Sequence, residues 1–198
     1  MARQAGSAGE KTAAAIRRQS LGLFAKHGYD AVSMRMIADA VGVQPGALYQ
    51  YFPTKQQILV TLMREHMEEL LASLKAEGFA DEPPAAALEH FARFHIRYHL
   101  TRADEVFISY MELRALEPEG FAEIERLRRA YEGELKAILM RGGEGGVFRI
   151  EDPHVSAMAI IAMLTGVNTW YRSGGRLSEK RIEEIYAEMV LRSVGCAR

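Results

Sequence analysis

Between Ser33 and Lys55 the chain reads SMRMIADAVGVQPGALYQYFPTK, and the punctuation inside that stretch leaves few ways to fold it. Ser33 can cap the backbone N–H groups that open a helix, and Met34, Ile37, Ala38 and Val41 follow at helical spacing. Gly42 stops that helix, because glycine takes the left-handed conformation at little cost. Small Ala38 and Ala40 leave room for a second helix to cross close by, and Val43 plugs the corner from inside. Pro45 fits the first turn of the next helix, where its missing N–H loses nothing, and Ala47, Leu48, Tyr49, Tyr51 and Phe52 carry that helix to Pro53. Two short helices joined by a glycine-containing turn of about four residues form a helix-turn-helix.

Within the second helix Leu48 and Phe52 are four apart and face inward, which leaves Gln44, Pro45, Ala47, Tyr49, Gln50 and Tyr51 on or near the outer surface. Phenol hydroxyls and glutamine amides reach phosphates and base edges, and a recognition helix sets its N-terminal residues against the major-groove floor. Gln44 and Gln50 are therefore the base-reading candidates. Tyr49, Tyr51 and Lys55 are the phosphate-contacting candidates, with Ser33 and Arg35 holding the other side from the start of the preceding helix. Charge is distributed to match: residues 1–55 carry a balance of +4 and the remainder −5, although the whole chain stands at −1. A basic end on an acidic body is the electrostatic footprint of a double-stranded DNA partner.

The stretch IADAVGVQPGALYQYFPTKQQIL is similar to the N-terminal signature of the TetR/AcrR family of bacterial transcriptional regulators, and the likeness extends back through LFAKHGYDAVSMRMIA. Phe24, Gly28, Ile37, Gly42, Gly46, Leu48, Tyr49, Tyr51, Phe52 and Lys55 carry it together. The family usually has a small hydroxyl residue where Gln44 stands, and often Thr or Ser in place of Ala47, so the operator sequence does not carry over. The resemblance implies an all-α protein with an N-terminal three-helix bundle containing the helix-turn-helix. It also implies a larger C-terminal helical domain for ligand binding and dimerisation.

Beyond the motif the chain is a succession of amphipathic patterns divided by Gly and Pro. Helices are predicted over 11–27, 55–75, 84–100, 102–116, 118–141 and 153–171, with a last one capped by Ser178. With the two helices of the motif this makes about nine in all. Residues 1–9 read as a flexible tail, 10–54 as the DNA-binding domain and 55–198 as the ligand-binding and dimerisation domain, with GGEGGVFRIEDP as a flexible link. The last two helices hold Met158, Ile160, Ile161, Met163, Leu164, Val167, Ile182, Ile185, Tyr186, Met189 and Val190, more apolar surface than one packing face needs. A homodimer through those helices is expected, since such a repressor reads two half-sites as a dimer.

The resemblance further implies a small-molecule effector, with candidate lining residues in the aromatic and Met-rich middle of the chain. Phe91, Phe94, Tyr98, Phe107, Tyr110, Met111, Arg114, Met163, Asn168, Trp170 and Tyr171 are the candidate ligand-binding residues. The segment from Trp170 to Leu177 resembles family members that respond to acyl-CoA thioesters, with Arg97, Arg114 and Arg172 as candidate partners for CoA phosphates. A hydrophobic effector is the expectation.

Other chemistries find little support. The one cysteine, Cys196, allows no disulfide framework within the chain. His95 and His99 have zinc-compatible spacing but no HExxH glutamate and no evident third ligand, and GGEGG lacks the Lys and Ser or Thr of a phosphate-cradling loop. No GxSxG elbow is present. The expectation is therefore a non-enzyme without cofactor or metal, located in the bacterial cytoplasm at the nucleoid, with no signal peptide or membrane span. The alternative reading is an all-helical ligand-binding or enzymatic protein whose N-terminal motif mediates protein contacts.

Overall fold

In the computed structural model, which describes residues 3–79 and 81–196 and side chains from residue 9 onward, every regular element is helical. In order these are α1 (Arg3–His27), α2 (Met34–Val41), α3 (Pro45–Tyr51), α4 (Lys55–Glu77), α5 (Pro84–Leu100), α6 (Ala103–Met111), a 3₁₀ turn (Leu113–Ala115), α7 (Pro118–Glu144), α8 (Pro153–Thr165), α9 (Val167–Trp170) and α10 (Glu179–Ser193). Counting α8 and α9 as one helix broken at Gly166 gives nine among the described residues.

The chain divides into two compact units. The first comprises Met1–Met67 with Asp104–Glu125, and the second Glu68–Ala103 with Arg126–Arg198. Both units therefore draw on the chain beyond residue 54. The first unit takes in the start of α4 together with α6, the 3₁₀ turn and the start of α7, while α4 and α7 each run on into the second unit.

In the first unit, Ile16, Ser20 and Phe24 recur every fourth residue on α1 and are fully buried. Helix α1 begins at Arg3, before the expected start at residue 11, and so takes in residues 3–9 of the expected tail; positions 1 and 2 of that tail lie outside the described residues. It packs on α2, which packs on α3. Ser33 caps α2 as its sequence position requires, its Oγ accepting from the Met36 N–H at 3.2 Å. Gly42 ends the helix at φ +79°, ψ 31°, donating its N–H to the carbonyls of Ala38 and Asp39.

In the second unit α5 is the central helix, with α8, α9 and α10 packed on it. Nine of its residues are buried, from Ala87 to His99, so it is covered on more than one face. Two of them are histidines: the His95 and His99 rings stack with centroids 3.9 Å apart. His95 Nδ1 hydrogen-bonds the Tyr131 hydroxyl at 2.9 Å and its Nε2 the Thr165 hydroxyl at 3.0 Å, joining α5, α7 and α8 through one buried side chain.

Three helix ends differ from expectation. Helix α6 stops at Met111 and passes into the 3₁₀ turn, and the helix from Pro153 stops at Thr165 before the short α9. The glycine-rich connection is packed rather than flexible. Helix α7 continues through Gly142 and Gly143 to Glu144, and the Phe148 ring folds back on it so closely that a Cβ at Gly142 would lie 1.9 Å from a ring carbon. The Arg149 N–H then donates to the Val194 carbonyl at 2.7 Å, tying the connection to the end of α10.

Candidate nucleic-acid interface

Helix α3 is short because of what bounds it. Pro45 is its first residue, and Phe52 turns back to extended backbone one residue after its end. Leu48 is its one buried residue, and Phe52 is buried just beyond. That inward pair turns the rest outward as the spacing predicts. Gln44 and Gln50 are exposed, Tyr49 is 50% and Tyr51 37% exposed, and Pro45 and Ala47 are half-buried.

Ser33 and Arg35 are exposed where α2 opens. The Ser33 hydroxyl is engaged as a helix cap, and the Arg35 guanidinium has no carboxylate partner among the described residues. The outer edge of these two helices thus combines a guanidinium, two phenols and two amides, groups that donate to phosphate oxygens or pair with base edges.

Lys55 is placed differently from the expectation. Its ammonium donates to the Tyr29 carbonyl at 2.7 Å and the Val32 carbonyl at 2.8 Å, and it lies 4.0 Å from the centroid of the Tyr29 ring. Two of its three N–H groups therefore hold the α1–α2 turn, and the residue is half-buried. A lysine paired with carbonyls 26 and 23 positions earlier could not be told from a surface lysine by local pattern.

The aromatic candidates for a ligand site fall in both units. Phe91, Phe94 and Tyr98 are buried in the core of the second, with Phe91 against Tyr131 at 5.4 Å between ring centroids. Met163, Asn168 and Tyr171 are half-buried in that unit, and Trp170 is 49% exposed, stacked on Tyr186 at 6.4 Å. Phe107, Tyr110, Met111 and Arg114 belong to the first unit, where all but the half-buried Tyr110 are exposed. Of the arginines, Arg97 pairs with Glu77 at 2.9 Å and Glu183 at 3.6 Å, and Arg172 donates to the Tyr171 carbonyl at 2.7 Å, which closes the end of α9. Burial holds the Glu183 carboxyl above its ordinary range, with Arg97 pulling the other way.

Sequence reasoning missed a cleft of about 660 Å³ in the second unit. Leu74, Phe79 and Ile138 supply apolar walls, Lys75 and Arg141 positive charge, and Asp81 and Glu134 negative charge. Helical spacing alone brings Lys75 beside Leu71 and Arg141 beside Ile138, but their convergence depends on how α4 and α7 pack. A smaller hollow of about 310 Å³ is lined by Trp170, Tyr171, Arg172, Gly175, Arg176 and Leu177.

An all-helical chain with a capped, glycine-hinged pair of short helices presenting phenols, amides and a guanidinium defines a helix-turn-helix transcriptional regulator. Residues 16–62 match the model described as bacterial regulatory proteins, tetR family, and residues 81–194 match the one described as tetracyclin repressor-like, C-terminal domain. The chain belongs to the TetR family, a family of DNA-binding regulators rather than enzymes. A crystal structure of a TetR-family regulatory protein from Rhodococcus RHA1 is 31% identical, covering 95% of this chain and 99% of that one, with a TM-score of 0.89. The structure of AibR in complex with isovaleryl coenzyme A and operator DNA is 26% identical, covering 90% and 97% of the two chains, with a TM-score of 0.83. The transcriptional repressor KstR2 of Mycobacterium tuberculosis is 27% identical over 172 residues, 85% of this chain and 86% of that protein. No described helix is long and apolar enough to cross a membrane.

Proposed function

We propose that this regulator is a cytoplasmic homodimeric repressor that reads two operator half-sites with α3 and leaves the DNA when an amphipathic acyl thioester binds its C-terminal domain. The observation that carries the DNA-reading part is the outer edge of α2 and α3: Gln44 and Gln50 for bases, and Arg35, Ser33, Tyr49 and Tyr51 for phosphates, with Pro45 and Ala47 allowing close approach. Lys55 serves this face by holding the α1–α2 turn.

For the dimer, the supporting feature is apolar surface left uncovered on the last long helices. Val155, Ala159 and Ala162 recur at helical spacing along one exposed side of α8, with Val155 61% exposed, and Met189 on α10 is 45% exposed. For the effector, the support is the relative AibR, whose structure holds isovaleryl coenzyme A, and the cleft in which Arg141 and Lys75 stand beside apolar walls. Within the second unit, Phe91, Phe94 and Tyr98 of α5, Met163 of α8 and Asn168, Trp170 and Tyr171 at α9 are the ligand-binding residues, and α5 and its neighbours would part to admit an acyl chain.

Electrophoretic mobility tests the reading. The purified protein shifts a duplex from its own upstream region at low salt, and a panel of acyl-CoAs reverses the shift while raising the melting temperature. Reversal and tighter effector binding must show one coupling energy measured from either side. No shifted duplex at low salt sinks the repressor reading and favours the alternative of a protein-contact motif. A shift untouched by every acyl-CoA removes only the effector class.

A further inference from the structure

The turn between α1 and α2 is held by side chains from two distant parts of the first unit. Gly28, at φ +79°, ends α1, and the Tyr29 N–H that follows donates to Glu112 Oε1 at 3.0 Å. The Tyr29 carbonyl accepts from Lys55 at 2.7 Å, and its ring lies beneath the same ammonium. Tyr29 is only 7% exposed. Burial pushes its phenol above the ordinary value, and a hydrogen bond with Gln56 works the other way. Gln56 is engaged on its far side as well: its Nε2 donates to the Ala115 carbonyl at 2.5 Å, and its Oε1 accepts from the Glu117 N–H at 3.3 Å. Within the turn itself, one backbone hydrogen bond is present, Val32 N–H to the Tyr29 carbonyl at 3.2 Å.

A five-residue connection with so little bonding of its own takes its position from whatever satisfies its buried polar groups. Here those partners are Lys55 and Gln56 at the start of α4 and Glu112 just after α6, and Gln56 is itself fixed by the 115–117 backbone. The connection ends at Val32, immediately before Ser33 and Arg35. We propose that Glu112 and Gln56 are positioning residues for DNA binding: they lock the Tyr29 turn to the 112–117 segment and so set the register in which α2 presents Ser33 and Arg35. DNA affinity then depends on residues 112–117, which lie far outside the helix-turn-helix in sequence and lead directly into α7.

The charge of Glu112 makes the inference testable by sign. A carboxylate near a DNA-contacting face repels phosphate, so if charge were its whole effect, removing it would strengthen binding in any variant. A positioning role predicts the opposite for Ala alone. The inference rests on α2 and α3 being the DNA-contacting face, so binding is measured on a duplex that the wild-type protein selects from a random pool. Glu112→Ala is expected to bind about tenfold more weakly, comparable to losing one hydrogen bond to a charged group. Glu112→Gln, which keeps an acceptor for the Tyr29 N–H, is expected to bind as well as wild type or better. Gln56→Ala should weaken binding in the same direction as Glu112→Ala. Amide hydrogen exchange over residues 28–36 should rise in Glu112→Ala and return to wild-type protection in Glu112→Gln, with the exchange of α5 unchanged in both. Equal or tighter binding by Glu112→Ala, or failure of Glu112→Gln to rescue it, overturns the proposal while leaving the DNA-reading face intact. A wild-type protein that selects no duplex overturns both.

Discussion

Helices α3 and α5 are stabilised in opposite ways. Helix α5 buries nine residues and is surrounded by α8, α9 and α10. Helix α3 has seven residues and buries only Leu48, while α2 has eight and buries Ile37 and Ala38. Helices of that length are marginal by themselves in water. Those of the first unit depend on end groups and single anchors: Ser33 at one end of α2, Gly42 at the other, Pro45 at the start of α3, and Lys55 on the turn before α2. The difference follows from use. A surface that must receive DNA cannot also be buried, so the head keeps few apolar contacts and relies on local chemistry, whereas α5 keeps only a narrow outer side, with Ala86 and Arg97 exposed.

Substitutions test that contrast directly. Phe91→Ala, at a fully buried position of α5, should cost about 3–5 kcal/mol and lower the thermal midpoint of the whole protein. A midpoint close to wild type would show that α5 is not the centre of its unit. Leu48→Ala should cost about 2–5 kcal/mol locally, abolishing DNA binding at temperatures where the far-ultraviolet helical signal is still near wild type. Simultaneous loss of both signals would mean that the head and body melt as one and that the contrast is false. Gly42→Ala forces a side chain into the left-handed region and should destabilise by about 1–2 kcal/mol, read as increased hydrogen exchange in α2. The smallest stability effect belongs to Ser33→Ala, about 1 kcal/mol from the lost cap, and exchange confined to the first turn of α2 is its signature.

Much of the head was legible because its instructions are local. A serine before an apolar helical run, a glycine after it and a proline at the next start each act within a few residues, and α2 and α3 begin and end where those signals stand. The same holds for the outward side of α3, which follows from the inward pair Leu48 and Phe52. Local pattern misled wherever a distant group intervened. Lys55 looked like a free surface cation but binds two carbonyls, Arg97 looked available for phosphate but joins Glu77 and Glu183, and GGEGG looked like a loose link but receives the Phe148 ring. The aromatic residues of α5 and α6 looked like one lining, yet α6 packs with the head unit.

From the amino-acid order alone came the helical class, the capped two-helix motif, the outward Gln, Tyr and Arg groups and the family they announce. Those features arise from interactions spanning one to four residues, which a linear pattern records completely. Tertiary structure decided which polar side chains are free and which are committed, where the two units divide, and that Glu112 and Gln56 hold the turn before α2. Partners separated by 83 and 59 positions leave no periodic trace, because the hydrogen bond between them forms only once separate helices have been brought together by burying their apolar faces.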